Sequence, residues 1–396
     1  MKQRKIEEYQ KIFENLVWLL GNIVPGSPTV TKRVIVESKA MRIIGQTLRC
    51  MPQIQVQLLE IIDNLVAGLA LKALQQEGWH LEFVDFFNSY SKFFDHYLRE
   101  HPTEETLFLR FLIEYMETDG PSIDIVMEQL PIIPILIDYL SSDQIHLFKA
   151  ALKAAGTILT SPNAEYSESL YKNDILQGLV IGWRRYEGTN HGPDIRKEIV
   201  WILGNMIASH STIITKSIVD NVFIIEKLKE ILAGSAPVDG SQNSIKIDMA
   251  TRKETLHVFQ NLVFGYGIEI HYDLIYRYNM FEVLLPYLQE EAIMSSYLII
   301  PYLVLQILNN IFMKEQLIGS SEFYLMCEKM GGIDLIEALQ LHPQKKIYEV
   351  ASEIIKNYGN GQQVFDLTGT ATRGRQGQHH IGGQHTAESS QSTFNI

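Results

Sequence analysis

The residues in this chain best placed to do chemistry are aromatic–amide pairs. Trp18-Leu19-Leu20-Gly21-Asn22 and Trp201-Ile202-Leu203-Gly204-Asn205 each set an indole and a carboxamide four residues apart. Both lie in apolar sequence of helical period, so the two side chains share a face about one turn apart. Glu198 stands three residues before the second indole, on the same face. Glu254, His257 and Asn261 repeat the spacing of three and four further along. A carboxylate pairs with an ammonium or guanidinium, an indole packs the stem beneath it, and an amide holds a peptide backbone. Such a set recognises an extended basic peptide and makes no bond. The same residues also have plainer readings. Trp18 and Trp201 fit as core aromatics, and the asparagines fit as ladders bonding neighbouring helices.

The amide position recurs. It returns at Asn64 within Leu59 to Gly68, at Asn261 within Leu256 to Gly265, at Asn310 within Leu305 to Phe312, and at Asn357. Two further copies carry Tyr115 and Thr157 in its place. The register is therefore 22, 64, 115, 157, 205, 261, 310 and 357, with steps of 42, 51, 42, 48, 56, 49 and 47 residues. A period of roughly 40–47 residues with two or three helices per unit is the armadillo or HEAT pattern. Within a unit the apolar positions Phe148, Ala151, Leu152, Ala155, Ile158 and Leu159 follow a helix. Breakers fall between the runs, at Pro25 to Pro28, Gly120-Pro121, Pro162, Gly188 to Pro193, Gly331-Gly332 and Pro343. The long 56-residue step holds Gly234 to Ser241, which reads as a loop. Helical units that cannot bury their own faces must stack. The expected fold is all-α, an armadillo-type right-handed α-solenoid superhelix with a concave face. It should span 1–358 as about seven and a half repeats beginning mid-repeat. Residues 359–396, rich in Gly, Gln, His and Ser, should be a disordered tail.

Composition narrows the partners. The formal charge is −12. Arg373, Arg375, Asp366 and Glu388 cancel within the tail, so the whole excess sits before it. An acidic solenoid disfavours nucleic acid and favours basic partners, although acidity also simply aids solubility. Cys50 and Cys327, the two cysteines, are far apart in sequence, which gives no disulfide framework. The N-terminus from Met1 to Gln10 lacks an apolar signal core, and the apolar run near 297–308 is broken by Pro301 and Gln306. No membrane segment is expected. His257 has no companion ligands at metal spacing, and His379, His380 and His385 fall in the tail. Gly369 to Arg375 has the outline of a phosphate loop without its Lys-Ser/Thr ending. No nucleophile elbow, zinc-protease or kinase set is present. The chain is not expected to be an enzyme, and no metal or cofactor is expected.

Leu308-Asn309-Asn310-Ile311-Phe312, then Cys327 to Gln340, His342 and Tyr348 to Ile355, resemble the final repeats of importin-α, the karyopherin-α armadillo adaptors that carry basic nuclear localisation signals. Ala151 to Thr160 resembles that family's sixth repeat, and Lys197 to Trp201 its seventh. The resemblance covers about residues 12–358 and implies two peptide sites in a groove. The residues matching the C-terminal site are Lys153, Thr160, Glu198, Trp201, Asn205, Glu254, His257 and Asn261. Those matching the N-terminal site are Trp18, Asn22, Glu60 and Asn64. That site is degraded. Gly26 stands where the family has an Asp that receives the key Lys, and Glu60 replaces the next Trp. Glu60 also reads as a solvated helix residue.

The implied function is an adaptor that binds Lys/Arg-rich segments of cargo proteins for import into the nucleus. It would work in cytoplasm and nucleus, with a nuclear export receptor as a further partner. The basic segment through which the family recruits importin-β is missing near Lys2, Arg4 and Lys5, so recruitment of importin-β by this chain is not expected. The alternative is an armadillo scaffold for protein–protein interaction with no transport role.

Overall fold

The computed structural model describes residues 2–23, 29–30, 33, 37–50, 84, 87, 102–117, 120–238, 241–246, 248–289 and 298–359. Two helices lie near the start, α1 (Lys2–Ile23) and α2 (Ala40–Cys50). The next, α3 (Pro102–Met116), precedes a series of three-helix units. The first unit is α4 (Gly120–Gln129), α5 (Ile132–Leu140) and α6 (Ile145–Ile158). The second is α7 (Ala164–Lys172), α8 (Ile175–Tyr186) and α9 (Gly192–Ala208). The third is α10 (Thr212–Asp220), α11 (Val222–Ala233) and α12 (Met249–Gly265). The fourth is α13 (Ile268–Tyr272), α14 (Met280–Leu284) and α15 (Ile299–Leu317). The last is α16 (Glu322–Lys329), α17 (Gly332–Ala338) and α18 (Lys345–Ile354). The expected breakers at Gly120-Pro121, Pro162, Gly188 to Pro193, Gly331-Gly332 and Pro343 all fall at helix ends. Pro301 sits in the first turn of α15, where a missing N–H costs nothing.

The third helices stack in file, with α3 on α6, α6 on α9, α9 on α12, α12 on α15 and α15 on α18. The register residues Tyr115, Thr157, Asn205, Asn261 and Asn310 lie one on each of the first five, and Asn357 lies in the π turn Ile355–Gly359 after α18. From Tyr115 to Asn310 the sequence ladder is thus a ladder in space. Its rungs differ in depth. Tyr115, Thr157 and Asn310 are buried, Asn205 and Asn261 are half-buried, and Asn357 is exposed.

Local chemistry starts and stops the helices. Asn163 caps α7 by accepting from the Glu165 N–H at 3.1 Å, and Asn221 caps α11 through Ile224. Asp248 caps α12, accepting from the Thr251 N–H and hydroxyl, both at 2.8 Å. Each oxygen satisfies an N–H that a helix start leaves open. Gly234 ends α11 with φ of 86°, a left-handed turn that glycine makes at no steric cost. The following stretch, expected as a loop, instead forms a small antiparallel hairpin, β1 (Ser235–Val238) with β2 (Ser241–Lys246). The extra length of the 56-residue step lets the chain pair with itself there.

Between units, three buried tyrosines act as ties. Tyr266, Tyr278 and Tyr287 donate to the carbonyls of Ile207, Val219 and Leu232 at 2.7, 2.6 and 2.5 Å. These carbonyls close α9, α10 and α11, whose last acceptors have no partner within the helix. Each tyrosine therefore caps a helix end in the unit before its own. Burial raises all three phenols above their ordinary range. Ion pairs also join successive units, Lys149 with Asp194 at 3.0 Å and Lys227 with Glu187 at 2.7 Å. At the last unit the buried Glu315 accepts from the Phe323 and Tyr324 N–H groups at 2.6 and 3.1 Å. It is a side-chain cap supplied from another helix. Burial raises its carboxyl above the usual range despite those bonds.

Candidate functional site

The site is built on α9 and its neighbours in the file, α6 and α12. Pro193 near the start of α9 and an apolar face through Ile195, Ile199, Ile202, Leu203 and Met206 fix this helix against the core. Its remaining face presents Glu198, Trp201 and Asn205, all half-buried. Glu198 Oε2 and Asn205 Nδ2 are buried atoms with no hydrogen-bond partner among the described residues. An open acceptor and an open donor therefore flank the indole.

Trp201 is seated by its neighbour. A Cβ at Gly156 would lie 2.2 Å from Trp201 Cζ3, so only glycine lets the indole lie on α6. From the same helix, Lys153 Nζ stands 5.1 Å from the indole centroid. It also pairs with Glu117 at 3.1 Å. The cation over this indole is thus the chain's own. Thr160, expected in the lining, donates its hydroxyl to the Thr157 carbonyl at 2.7 Å.

On α12 the equivalents are more committed. Asn261 Nδ2 donates to the Gly204 carbonyl of α9 at 3.2 Å. That is the ladder role which the sequence left open beside ligand binding. Glu254 is half-buried, and its nearest cation is Lys253 at 3.9 Å. His257 Nδ1 lies 3.1 Å from Gln260 Oε1, Gln260 donates to Gln306 at 2.8 Å, and Gln306 donates to the Tyr302 hydroxyl at 2.8 Å. With the amides oriented this way, Nδ1 of His257 carries the proton and donates to the Gln260 oxygen. This polar chain ties α12 to α15.

In the N-terminal set, Trp18 is exposed, and Asn22 spends its amide on the Trp18 carbonyl of its own helix at 2.8 Å. Glu60 and Asn64 lie outside the described residues, as does the tail from residue 360 on.

Two buried groups carried no sequence signal. Arg196, on α9, is 4% exposed, and its Nη2 has no hydrogen-bond partner among the described residues. Burial lowers its guanidinium from the usual range, against the fields of Glu187, Asp248 and Glu230. His271 is fully buried and bonds the Val263 carbonyl at 3.0 Å through Nε2. Burial holds it down at about 4, with Lys314 adding to the effect. Both neighbour apolar residues in sequence, and only packing shows that they are enclosed. Among the described residues no group of three His, Cys, Asp or Glu side chains is placed to hold a metal. No described helix is long and apolar enough to cross a membrane.

Comparison with known proteins bears on the fold. Residues 321–371 match the family model of the atypical Arm repeat. An engineered protein of known structure is similar at a TM-score of 0.64 and 18% identity, over 87% of this chain and 74% of that one. The designed armadillo repeat protein YIII(Dq)4CqI is similar at 0.50 and 18% identity, over 65% and 93%. A computationally designed armadillo repeat protein for modular peptide recognition is similar at 0.51 and 16% identity, over 69% and 98%. With its third helices in file and its last unit inside the matched stretch, the chain is an all-α solenoid of the armadillo-repeat fold.

Proposed function

We propose that this chain binds Lys/Arg-rich linear segments of other proteins across α9 and α12, as an importin-α-like adaptor for protein import into the nucleus. The observation that carries the reading is the trio on α9. A buried acceptor on Glu198 and a buried donor on Asn205, both without partners, flank Trp201. A ligand ammonium or guanidinium supplies the missing donor, and a ligand carbonyl supplies the missing acceptor. The chain's charge of −12 favours such a partner. One similar structure was designed for modular peptide recognition, which accords with an armadillo face serving a peptide. The transport reading adds cytoplasm and nucleus as the places of work and an export receptor as partner, with no part for nucleic acid.

A static armadillo scaffold is the second reading. It is favoured by Lys153 over Trp201 and by the bond from Asn261 to Gly204, because both spend groove residues on internal contacts. Calorimetry separates the two. A Lys/Arg-rich peptide should bind the whole chain and weaken with salt. Trp201→Ala should cost about 1–2 kcal/mol through lost cation–π and stem packing. No binding, or binding indifferent to Trp201→Ala and Glu198→Gln, leaves the scaffold.

A further inference from the structure

Positions along the file of third helices can be compared rung by rung. Seven residues before each register residue stand Phe108, Ala150, Glu198, Glu254, Leu303 and Val350. Carboxylates occur at this position on α9 and α12 and on no other rung from α3 to α18. Four residues before the register residue stand Phe111, Lys153, Trp201, His257, Gln306 and Glu353. Lys153 is therefore α6's counterpart of the indole. Its ammonium bridges Glu117 at 3.1 Å on one side and Trp201 at 5.1 Å on the other. The rungs from α3 to α9 are thus already joined by a cation of the chain's own. Beyond α12, the side chains of Gln260, Gln306 and Tyr302 bond one another.

Resting on the peptide reading above, we infer that Lys153 is a specificity-determining residue that restricts the ligand's basic residues to one short window. Packed helices stand about 8–10 Å apart, and an extended peptide advances about 3.3 Å per residue. The acidic window from α9 to α12 therefore spans about three ligand residues. A ligand residue two or three places beyond it, on the α6 side, meets the Lys153 ammonium. A basic side chain there is repelled, and a neutral or acidic one is accepted. The selected ligand is a short basic pair bounded on one side by a non-basic residue, rather than a long basic run.

The test uses the whole chain and ten-residue peptides with a constant central Arg-Lys pair. The position three residues out on either side is varied among Ala, Lys and Glu. For two charges about 7 Å apart, Lys at one of these flanks should weaken binding relative to Ala by about threefold if the pair is screened as in bulk water, and by up to about fiftyfold at the effective dielectric of about 20 near a protein surface. Glu at the same flank should strengthen it. Lys153→Ala should erase the difference and Lys153→Glu should reverse it. Lys153 is 41% exposed at its side chain, so both variants should melt close to the wild type. Tighter binding by Lys at both flanks, as a simple gain of charge on an acidic chain would give, overturns the inference, as does a flank preference indifferent to both variants. In either case Trp201→Ala still weakens every peptide if the peptide reading stands. If no peptide of the set binds, both fall.

Discussion

Gly156 and Gly204 occupy the same place in successive units, one residue before the register residue on α6 and α9, and an added methyl should affect them in opposite directions. Glycine inside a helix costs roughly 0.5–1 kcal/mol relative to alanine through backbone entropy. That gain is available at both sites. At Gly204 the new Cβ would lie 3.6 Å from Val258 Cγ2, in ordinary contact. Gly204→Ala should therefore stabilise the fold by about 0.5–1 kcal/mol. At Gly156 the new Cβ would lie 2.2, 2.7 and 3.2 Å from three atoms of the Trp201 ring. Either α6 shifts, or the indole swings off it and loses its seat and its contact with Lys153. Overpacking of this kind costs about 1–3 kcal/mol, which exceeds the helical gain. Gly156→Ala should be net destabilising by about 1 kcal/mol or more, and it should weaken basic-peptide binding much as Trp201→Ala does. Urea denaturation followed by helical circular dichroism gives both signs, and peptide titration gives the second effect. If Gly156→Ala is as stabilising as Gly204→Ala and leaves binding alone, the indole is not seated on α6 as described.

Three other outcomes follow from buried polar groups. His271 titrates at about 4 in the fold against an ordinary 6.5. The unfolded chain therefore binds more protons between these values, and stability should fall by up to about 3 kcal/mol as pH drops through that window. His271→Gln should flatten this acid limb of a pH-dependent melting series, and an unchanged limb would disprove the assignment. Glu315→Ala strips the acceptor from the Phe323 and Tyr324 N–H groups and should cost about 2 kcal/mol, with Glu315→Gln recovering part of it. An equal loss in both variants would show that packing rather than capping matters. Tyr278→Phe leaves the Val219 carbonyl without its 2.6 Å donor and should cost about 1 kcal/mol, whereas Tyr348→Phe, on a half-exposed ring, should be neutral in the same assay.

The sequence by itself determined the unit, its period and the helices that carry the register. Those depend on short-range periodicity and on Gly and Pro at helix ends, and both are properties of residues close together in the chain. It also brought Glu198, Trp201 and Asn205 to one face, because three- and four-residue offsets on a single helix need no tertiary information. Tertiary structure decided what those residues do. Lys153 and Trp201 are 48 residues apart and meet only because α6 and α9 stack. Asn261 and Gly204 meet across the next interface, and the Gln260 to Tyr302 chain spans the one after. Each tyrosine tie joins residues 55 to 59 apart. No periodicity signals such bonds, because a tyrosine near a helix end looks the same whether or not a carbonyl from the preceding unit waits beneath it. The hairpin after Gly234 escaped for a related reason. Its strands are stabilised by backbone pairing, to which Gly, Ser, Ala and Asn contribute little side-chain pattern. Local spacing sets which side chains share a helix face, and the stacking of one helix on the next sets whether a groove residue is spent on the fold or left open for a ligand.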